Sequence, residues 1–139
     1  MKVKEAMHKG VEWREPSTPI SEIAKIMKES DIGAVPIGEN DKLVGMVTDR
    51  DIACRAVANG MDPSTTTAGD VMTKGIIYCM ENEDVDDAVH LMENKQIRRL
   101  PVINDKKRMV GMLSLGDLSH SVSHELVGEL AEAVADHHE

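Results

Sequence analysis

Apolar residues recur with helical spacing in two stretches of the chain that lie 65 residues apart. The first stretch places apolar side chains at i, i+3, i+4 and i+7: Ile20, Ile23, Ala24 and Met27. The second stretch repeats the pattern: Val85, Ala88, Val89 and Met92. Before the first stretch, Thr18 is a suitable N-cap and Pro19 a suitable first helical residue. Each stretch therefore predicts an amphipathic helix.

Short apolar runs surround each predicted helix. A short predicted strand precedes it, at residues 11–13 in the first copy and 76–78 in the second. Two runs follow it, at 34–37 and 43–47 in the first copy and at 100–103 and 109–113 in the second, each pair joined by a polar turn. A second helix is expected to begin at Thr48 and at Ser114. The order β-α-β-β-α predicts an α/β (α+β) fold.

The whole unit is duplicated. An offset of 65 residues places Trp13 on Tyr78, and one extra turn residue raises the offset to 66, which places Asp51 on Asp117. Two copies are too few for a solenoid. We therefore predict two β-α-β-β-α units related by pseudo-twofold symmetry, with binding at clefts between them. The predicted boundaries are 1–58 for the first unit, 59–67 for a linker, 68–122 for the second unit and 123–139 for a C-terminal helical extension, with Val122, Leu126, Leu130 and Val134 at i+4 steps.

Composition narrows the possible partners. The chain has 139 residues and a formal net charge of −9, which argues against nucleic acid. It contains neither an apolar signal region nor a run long enough for a membrane span, so we expect a cytoplasmic protein that does not bind membranes.

Cys54 and Cys79 lack metal-ligand spacing and are predicted to be buried free thiols. His120 and His124 lie one helical turn apart, but with no evident third ligand we predict no metal site; His137 and His138 lie in the terminal tail.

One heptapeptide carries the clearest candidate chemistry. In the first copy Gly45 opens it, Thr48 follows, and Asp51 comes three residues later; the second copy has Gly111, Ser114 and Asp117. A hydroxyl residue followed by an acid at this spacing is typical of a capping box. The same groups could hold a ribose phosphate, with helix-start N–H groups on the phosphate and the carboxylate on the ribose. The spacing alone leaves both interpretations open.

The order of these motifs resembles a tandem pair of CBS domains, called a Bateman module, of the stand-alone prokaryotic type. The resemblance rests on residues 32–37 and 43–52 in the first copy and on 96–102 and 110–118 in the second, and it extends over about residues 3–122. It implies a regulatory module that binds an adenosyl ligand and is not an enzyme. The expected ligand is AMP, ADP or ATP, with S-adenosylmethionine or NAD as alternatives; no cofactor is required.

The resemblance also implies roles for individual residues. Asp51 and Asp117 would bind the ribose diol, while Thr48 and Ser114 would bind the phosphate. The base pocket would be lined by residues of the opening strands and by residues just before Pro36 and Pro101: Val11, Trp13, Ile76, Tyr78, Ala34, Val35 and Leu100. Trp13 and Tyr78 could instead pack where two modules meet.

The two copies differ in basic residues. Arg98 and Arg99 in the second copy stand where the first has Gly33 and Ala34. A guanidinium pair suits phosphate oxygens, although the alternative is a surface pair bridging acidic neighbours. Arg50 is a further phosphate candidate. We therefore expect unequal occupancy of the two sites, with the second copy favoured.

Three classes of function follow from this interpretation. The first is a sensor that acts as a homodimer of CBS pairs and changes its contacts with an unidentified protein partner when an adenosyl ligand binds. The second is an adaptor without a small ligand. The third, a nucleotide hydrolase, is disfavoured because neither a nucleophile–base pair nor a phosphate-binding loop is present in the sequence.

Overall fold

The computed structural model describes residues 1–119 and 124–135, which form two compact units of mixed α/β structure. The continuous unit is Glu12–Ile76, and the discontinuous unit combines Met1–Val11 with the chain from Ile77 onward. In chain order the elements are α1 (Val3–Ala6), α2 (Ile20–Ser30), β1 (Ala34–Glu39), β2 (Lys42–Thr48), α3 (Asp49–Asp51), a π-helical turn (Ile52–Val57), α4 (Ala68–Val71), β3 (Cys79–Met80), α5 (Val85–Lys95), β4 (Arg99–Ile103), β5 (Met109–Ser114), α6 (Leu115–Leu118) and α7 (His124–Ala135).

Each unit is built around an antiparallel hairpin. In the continuous unit β1 pairs with β2, and in the discontinuous unit β4 pairs with β5. These four strands confirm the strands that the four apolar runs after the helices predicted. Their inward residues are fully buried, as for Val35 opposite Val47 and Leu100 opposite Leu113.

The opening strands lie later in the chain than the sequence predicts. The discontinuous unit has β3 at Cys79–Met80, parallel to β4, and the continuous unit has a single parallel bridge from Arg14 to Ile37. The predicted strands at 11–13 and 76–78 were therefore wrong by a few residues. The reason is that Cys79, which is 1% exposed, supplies the buried side chain, whereas the aromatic Tyr78 is 47% exposed.

Helix α2 begins one residue later than predicted. Its N-cap is Pro19, which has an extended backbone, so Thr18 is not the cap. The N–H groups of Ile20 and Ser21 donate instead to the carbonyls of Thr66 and Pro63, over 2.9 and 3.1 Å. A distant backbone segment therefore satisfies the groups that a capping side chain would have served.

The first helix of each repeat packs in the unit formed by the other repeat. In the discontinuous unit, the N–H of Val3 in α1 donates to the carbonyl of Glu83 over 2.9 Å. In the continuous unit, the N–H of Ala68 in α4 donates to the carbonyl of Thr18 over 2.7 Å. Val3 and Ala68 are both fully buried. The compact units thus differ from the sequence repeats by an exchange of first helices. The predicted domain boundaries describe the sequence repeats and stay a prediction.

Each unit has its own apolar core. All four apolar positions predicted for α5 are buried, but in α2 Ala24 is exposed, Met27 is half-buried and Ile26 is buried. The buried face of α2 is therefore rotated slightly from the predicted one, toward Ile26. In α7, Leu130 and Val134 are buried in the core of the discontinuous unit, which confirms a C-terminal helix.

The remaining predictions for the C-terminal segment concern residues or side chains outside the described part of the chain. Val122, His120, His137 and His138 lie outside the described residues, as do the side chains of Leu126 and His124. Within residues 1–119 and 124–135, no helix combines the length and apolar character needed to cross a membrane.

Candidate functional site

The Thr48–Asp51 corner forms a reciprocal capping box at the end of β2. The N–H of Thr48 donates to Asp51 Oδ2 over 2.9 Å, and the N–H of Asp51 donates to Thr48 Oγ1 over 3.0 Å. The capping interpretation of this spacing is therefore confirmed. The box engages one carboxylate oxygen, so it does not by itself prevent the other from meeting a ligand.

The Ser114–Asp117 corner repeats this geometry in the discontinuous unit. The N–H of Ser114 donates to Asp117 Oδ2 over 3.1 Å, and the N–H of Asp117 donates to Ser114 Oγ over 3.1 Å. The two corners differ in exposure, because Asp51 is 8% exposed while Asp117 is half-buried. The first carboxylate is therefore the more enclosed.

The helix-start N–H groups are largely used within the protein. The N–H of Asp49 donates to the carbonyl of Gly33, and the N–H of Leu115 donates to the carbonyl of Arg98, each over 3.0 Å. In both helices the third N–H is taken by the capping hydroxyl. A phosphate at either corner would therefore depend mainly on side-chain donors, not on free helix-start amides.

An added side chain at either motif glycine would meet a methionine that follows one of the exchanged helices. A Cβ on Gly45 would lie 2.5 Å from Met72 Sδ, and a Cβ on Gly111 would lie 2.6 Å from Met7 Sδ. Met72 follows α4 and Met7 follows α1, so each sulfur belongs to the residue at the end of an exchanged helix. The glycine thus allows the exchanged helix to approach each corner closely.

Two residues that the sequence did not single out contact the Asp51 carboxylate. The hydroxyl of Thr73 lies 3.3 Å from both carboxylate oxygens, and Arg55 Nε lies 3.8 Å from Oδ1. Arg55 also donates to the carbonyls of Val71 and Met72, each over 3.1 Å. The position of Arg55 four residues after Asp51 could have suggested the ion pair. Thr73 is 22 residues away and gave no local signal.

The arginine pair lies beside the second corner. Arg99 is half-buried at the start of β4, where it pairs with Ser114 across the hairpin, and Arg98 precedes it and is exposed. The matching pair in the continuous unit is Ala34 opposite Thr48. Arg50 is exposed. Cationic side chains thus flank the second corner at a register position where the first has none.

The residues predicted before each proline are core residues. Val35 and Leu100 are fully buried in the two cores, and Ala34 is 6% exposed. Each belongs to a strand that runs beside a corner. In the described conformation, their side chains fill the core behind the corners.

The aromatic candidates have half of their surface exposed. Trp13 is 46% exposed and lies against Gly38, where an added Cβ would come 3.2 Å from ring atom Cε3; Tyr78 is 47% exposed. Val11 and Ile76 are half-buried. Trp13 and Ile76 lie in the continuous unit, and Val11 and Tyr78 lie in the discontinuous unit. The exposed rings fit either base stacking or packing against another protein surface.

The thiols differ from each other. Cys79 is buried as predicted, whereas the same prediction was wrong for Cys54, which is exposed on the π-helical turn. Burial, with a smaller contribution from the charge of Glu83, raises the pKa of Cys79 to about 12. In the part of the chain that the structure describes, no three His, Cys, Asp or Glu residues cluster as a metal site would require.

Comparison with known protein families finds one type of domain at two places in the chain. The family model for the CBS domain matches residues 3–56 and 68–124. The chain is 40% identical over 127 residues to CBS domain-containing protein YhcV of Bacillus subtilis, covering 91% of this chain and 89% of that protein. It is 35% identical over 132 residues to Hypoxic response protein 1 of Mycobacterium tuberculosis, covering 94% and 92%.

Solved structures agree with this assignment. The crystal structure of Hypoxic Response Protein I with two coordinated zinc ions is matched with a TM-score of 0.80 and 36% identity, over 88% of this chain and 100% of that chain. The CBS domain pair of protein MJ0100, in complex with 5′-methylthioadenosine and S-adenosyl-L-methionine, is matched with a TM-score of 0.77 and 32% identity, over 86% and 94%. The chain thus belongs to the CBS domain family and contains a tandem pair of these domains.

Proposed function

We propose that this CBS pair is a regulatory module that binds an adenosyl ligand at its hydroxyl–Asp corners and does not catalyse a reaction. The observation that carries the proposal is the repeated corner, in which Asp51 and Asp117 each hold one oxygen in a capping box. The related MJ0100 pair, which binds 5′-methylthioadenosine and S-adenosylmethionine, supports this ligand class.

The proposed binding mode assigns one role to each kind of side chain. The Asp117 carboxylate accepts the ribose hydroxyls, and the Ser114 hydroxyl donates to the phosphate. Arg98 and Arg99 neutralise the phosphate charge, which matters in a chain with a net charge of −9. AMP, ADP or ATP is therefore the preferred ligand, and the half-exposed Tyr78 is available for the adenine.

Ligand binding is expected to act by changing the shapes that a partner protein recognises. A ligand that binds one conformation more tightly than another shifts the population toward it. A homodimer of CBS pairs in the cytoplasm, where adenine nucleotides are available, is part of the same proposal. Light scattering at micromolar concentration tests the dimer, and a monomer would contradict that part.

Calorimetric titration with AMP, ADP, ATP, 5′-methylthioadenosine, S-adenosylmethionine and NAD tests the proposed ligand class. We expect at least one to bind, and Asp117→Asn to abolish or strongly weaken binding at the second corner. Asp105→Asn, an equal charge change at an exposed turn residue, is the matched control and should bind as the wild type does. Full affinity in an Asp51→Asn/Asp117→Asn protein would refute the ribose assignment.

The half-exposed aromatic residues favour a second candidate function. Trp13 and Tyr78 are 46% and 47% exposed, and rings of this kind are enriched where proteins meet. An adaptor without a ligand would use these surfaces for partner contacts. Absence of binding across the whole ligand panel, together with a partner interaction lost in Trp13→Ala, would favour the adaptor.

A further inference from the structure

The Asp51 carboxylate already has a set of donors from its own unit. Oδ2 accepts the N–H of Thr48 over 2.9 Å, the hydroxyl of Thr73 lies 3.3 Å from both oxygens, and Arg55 Nε lies 3.8 Å from Oδ1. The side chain of Asp51 is 10% exposed. Such an enclosed carboxylate has little room for a further pair of donors.

The Thr73 hydroxyl lies within hydrogen-bonding distance of both oxygens of the Asp51 carboxylate. A carboxylate offers about four lone-pair positions, and the cap already uses one of them. A ribose diol placed across the carboxylate would need both oxygens, which are the two atoms that the Thr73 hydroxyl approaches at equal distance. Ribose and the Thr73 hydroxyl would therefore approach the same two acceptors, on a carboxylate whose side chain is only 10% exposed.

Thr73 is held in this position by its backbone. Its N–H donates to the carbonyl of Met46 over 2.8 Å, and its carbonyl accepts the N–H of Met46 over 3.0 Å. Arg55, which donates to the carbonyls of Val71 and Met72, ties the chain just before Thr73 to the same carboxylate. Removing the hydroxyl from Asp51 therefore requires rotation of the Thr73 side chain or movement of the α4 segment.

The second repeat differs at this position. His8 pairs with Met112 through two backbone hydrogen bonds of 2.8 and 3.0 Å, as Thr73 pairs with Met46. The residue 65 positions before Thr73 is thus a histidine, which carries no hydroxyl. At the position that Thr73 occupies in the continuous unit, the discontinuous unit therefore has an imidazole instead of a hydroxyl.

We propose that Thr73 is an intramolecular competitor of ribose at Asp51, so that this corner binds nucleosides more weakly than it would without the Thr73 hydroxyl. The inference rests on the proposed function, since it concerns the same ligand class. Arg55 is a positioning residue in this device, because it links the carboxylate to the segment that carries Thr73. An adenosyl ligand at this corner must displace the hydroxyl.

Thr73→Val tests the competition, because it removes the hydroxyl and keeps the branched shape. Thermal unfolding first establishes that the variant is folded. Titration with 5′-methylthioadenosine, which has no phosphate, and with AMP should then show a second binding event, or affinity higher by roughly threefold to tenfold, the equivalent of one hydrogen bond. Thr65→Val, at an exposed threonine of the same unit, is the matched control and should titrate as the wild type does.

The outcomes separate this inference from the proposed function. A gain in Thr73→Val that disappears in Thr73→Val/Asp51→Asn supports both. Wild-type affinity and stoichiometry in Thr73→Val, or weaker binding, overturns the competition and leaves the proposed function standing. If neither the wild type nor Thr73→Val binds either ligand or any other compound of the nucleotide panel, the proposed function and the competition are both contradicted.

Discussion

The sulfur of Met7 occupies the space that a side chain on Gly111 would need. A Cβ at Gly111 would come 2.6 Å from Met7 Sδ and 2.8 Å from the carbonyl oxygen of His8. Met7 belongs to the first repeat and Gly111 to the second, yet both lie in the discontinuous unit. This close approach couples the exchanged helix α1 to the strand that leads into the Ser114–Asp117 corner.

Gly111→Ala is expected to destabilise the protein more than Gly45→Ala. At Gly45 the closest atom is again a methionine sulfur, which can move, and the nearest backbone oxygen is 3.1 Å away. At Gly111 a backbone oxygen at 2.8 Å must also shift, so we expect a loss of roughly 1–3 kcal/mol in the free energy of unfolding. Urea unfolding measures it.

Gly116→Ala is the matched control for this pair. An added Cβ there would meet Ser114 Oγ at 3.7 Å, which is ordinary contact, and alanine favours a helix over glycine. We expect no loss of stability. Equal losses at Gly45 and Gly111 would show that the His8 carbonyl adapts as easily as a methionine side chain.

Asp51→Ala is expected to lower the free energy of unfolding by about 1–3 kcal/mol, because the Thr48 N–H, the Thr73 hydroxyl and Arg55 all lose their acceptor. Asp49→Ala should cost less, since Asp49 is exposed and accepts the neighbouring N–H of Arg50. Urea unfolding without ligand measures both. Combination with Thr73→Val should be non-additive, and strict additivity would mean that Thr73 and Asp51 do not interact in solution.

Arg98→Met and Arg99→Met are expected to weaken AMP binding by about tenfold or more, the effect of losing a charge-assisted hydrogen bond. Binding of 5′-methylthioadenosine should change little, because that ligand carries no phosphate. Lys106→Met removes the same charge from an exposed turn and serves as the control. An equal loss for both ligands would show that the arginines act on the fold of the corner and not on the phosphate.

Cys79 is expected to make stability fall at high pH. Burial raises the pKa of its thiol from 9.0 to about 12, so between these values the unfolded chain loses a proton that the folded chain keeps. The contribution of the protonated, buried thiol to the free energy of unfolding is complete below pH 9 and is lost as the pH rises toward 12. The stability difference between wild type and Cys79→Ala should therefore shrink from pH 8 to pH 10 in urea unfolding.

Thiol labelling provides a second measurement of the same difference. Iodoacetamide at pH 8 should modify the exposed Cys54 in the folded protein and leave Cys79 unmodified, because the reactive species is the thiolate. Denaturation should make both reactive. Rapid labelling of Cys79 in the folded protein would contradict its burial.

Local sequence patterns determined the hairpins, the helices α2, α5 and α7, and the two capping boxes, but not the short helices α1 and α4. The Thr48–Asp51 and Ser114–Asp117 contacts join residues three positions apart, so the spacing alone is enough to form them. The strands that begin at Ala34 and Arg99 follow from continuous apolar runs between turn residues. The predicted cap at Thr18 failed because a backbone segment more than forty residues later in the chain satisfies the start of α2.

The duplication by itself established that the chain holds the same unit twice, and with it the two hydroxyl–Asp corners. Only the tertiary structure decided that each unit takes its first helix from the other repeat, because that exchange depends on contacts such as Val3 with Glu83, far apart in sequence. It also decided that Asp51 meets Thr73, which lies 22 residues away on the segment after the exchanged helix α4. Hydrogen bonds within one helical turn are set by spacing, whereas those between distant segments exist only once the core has brought them together.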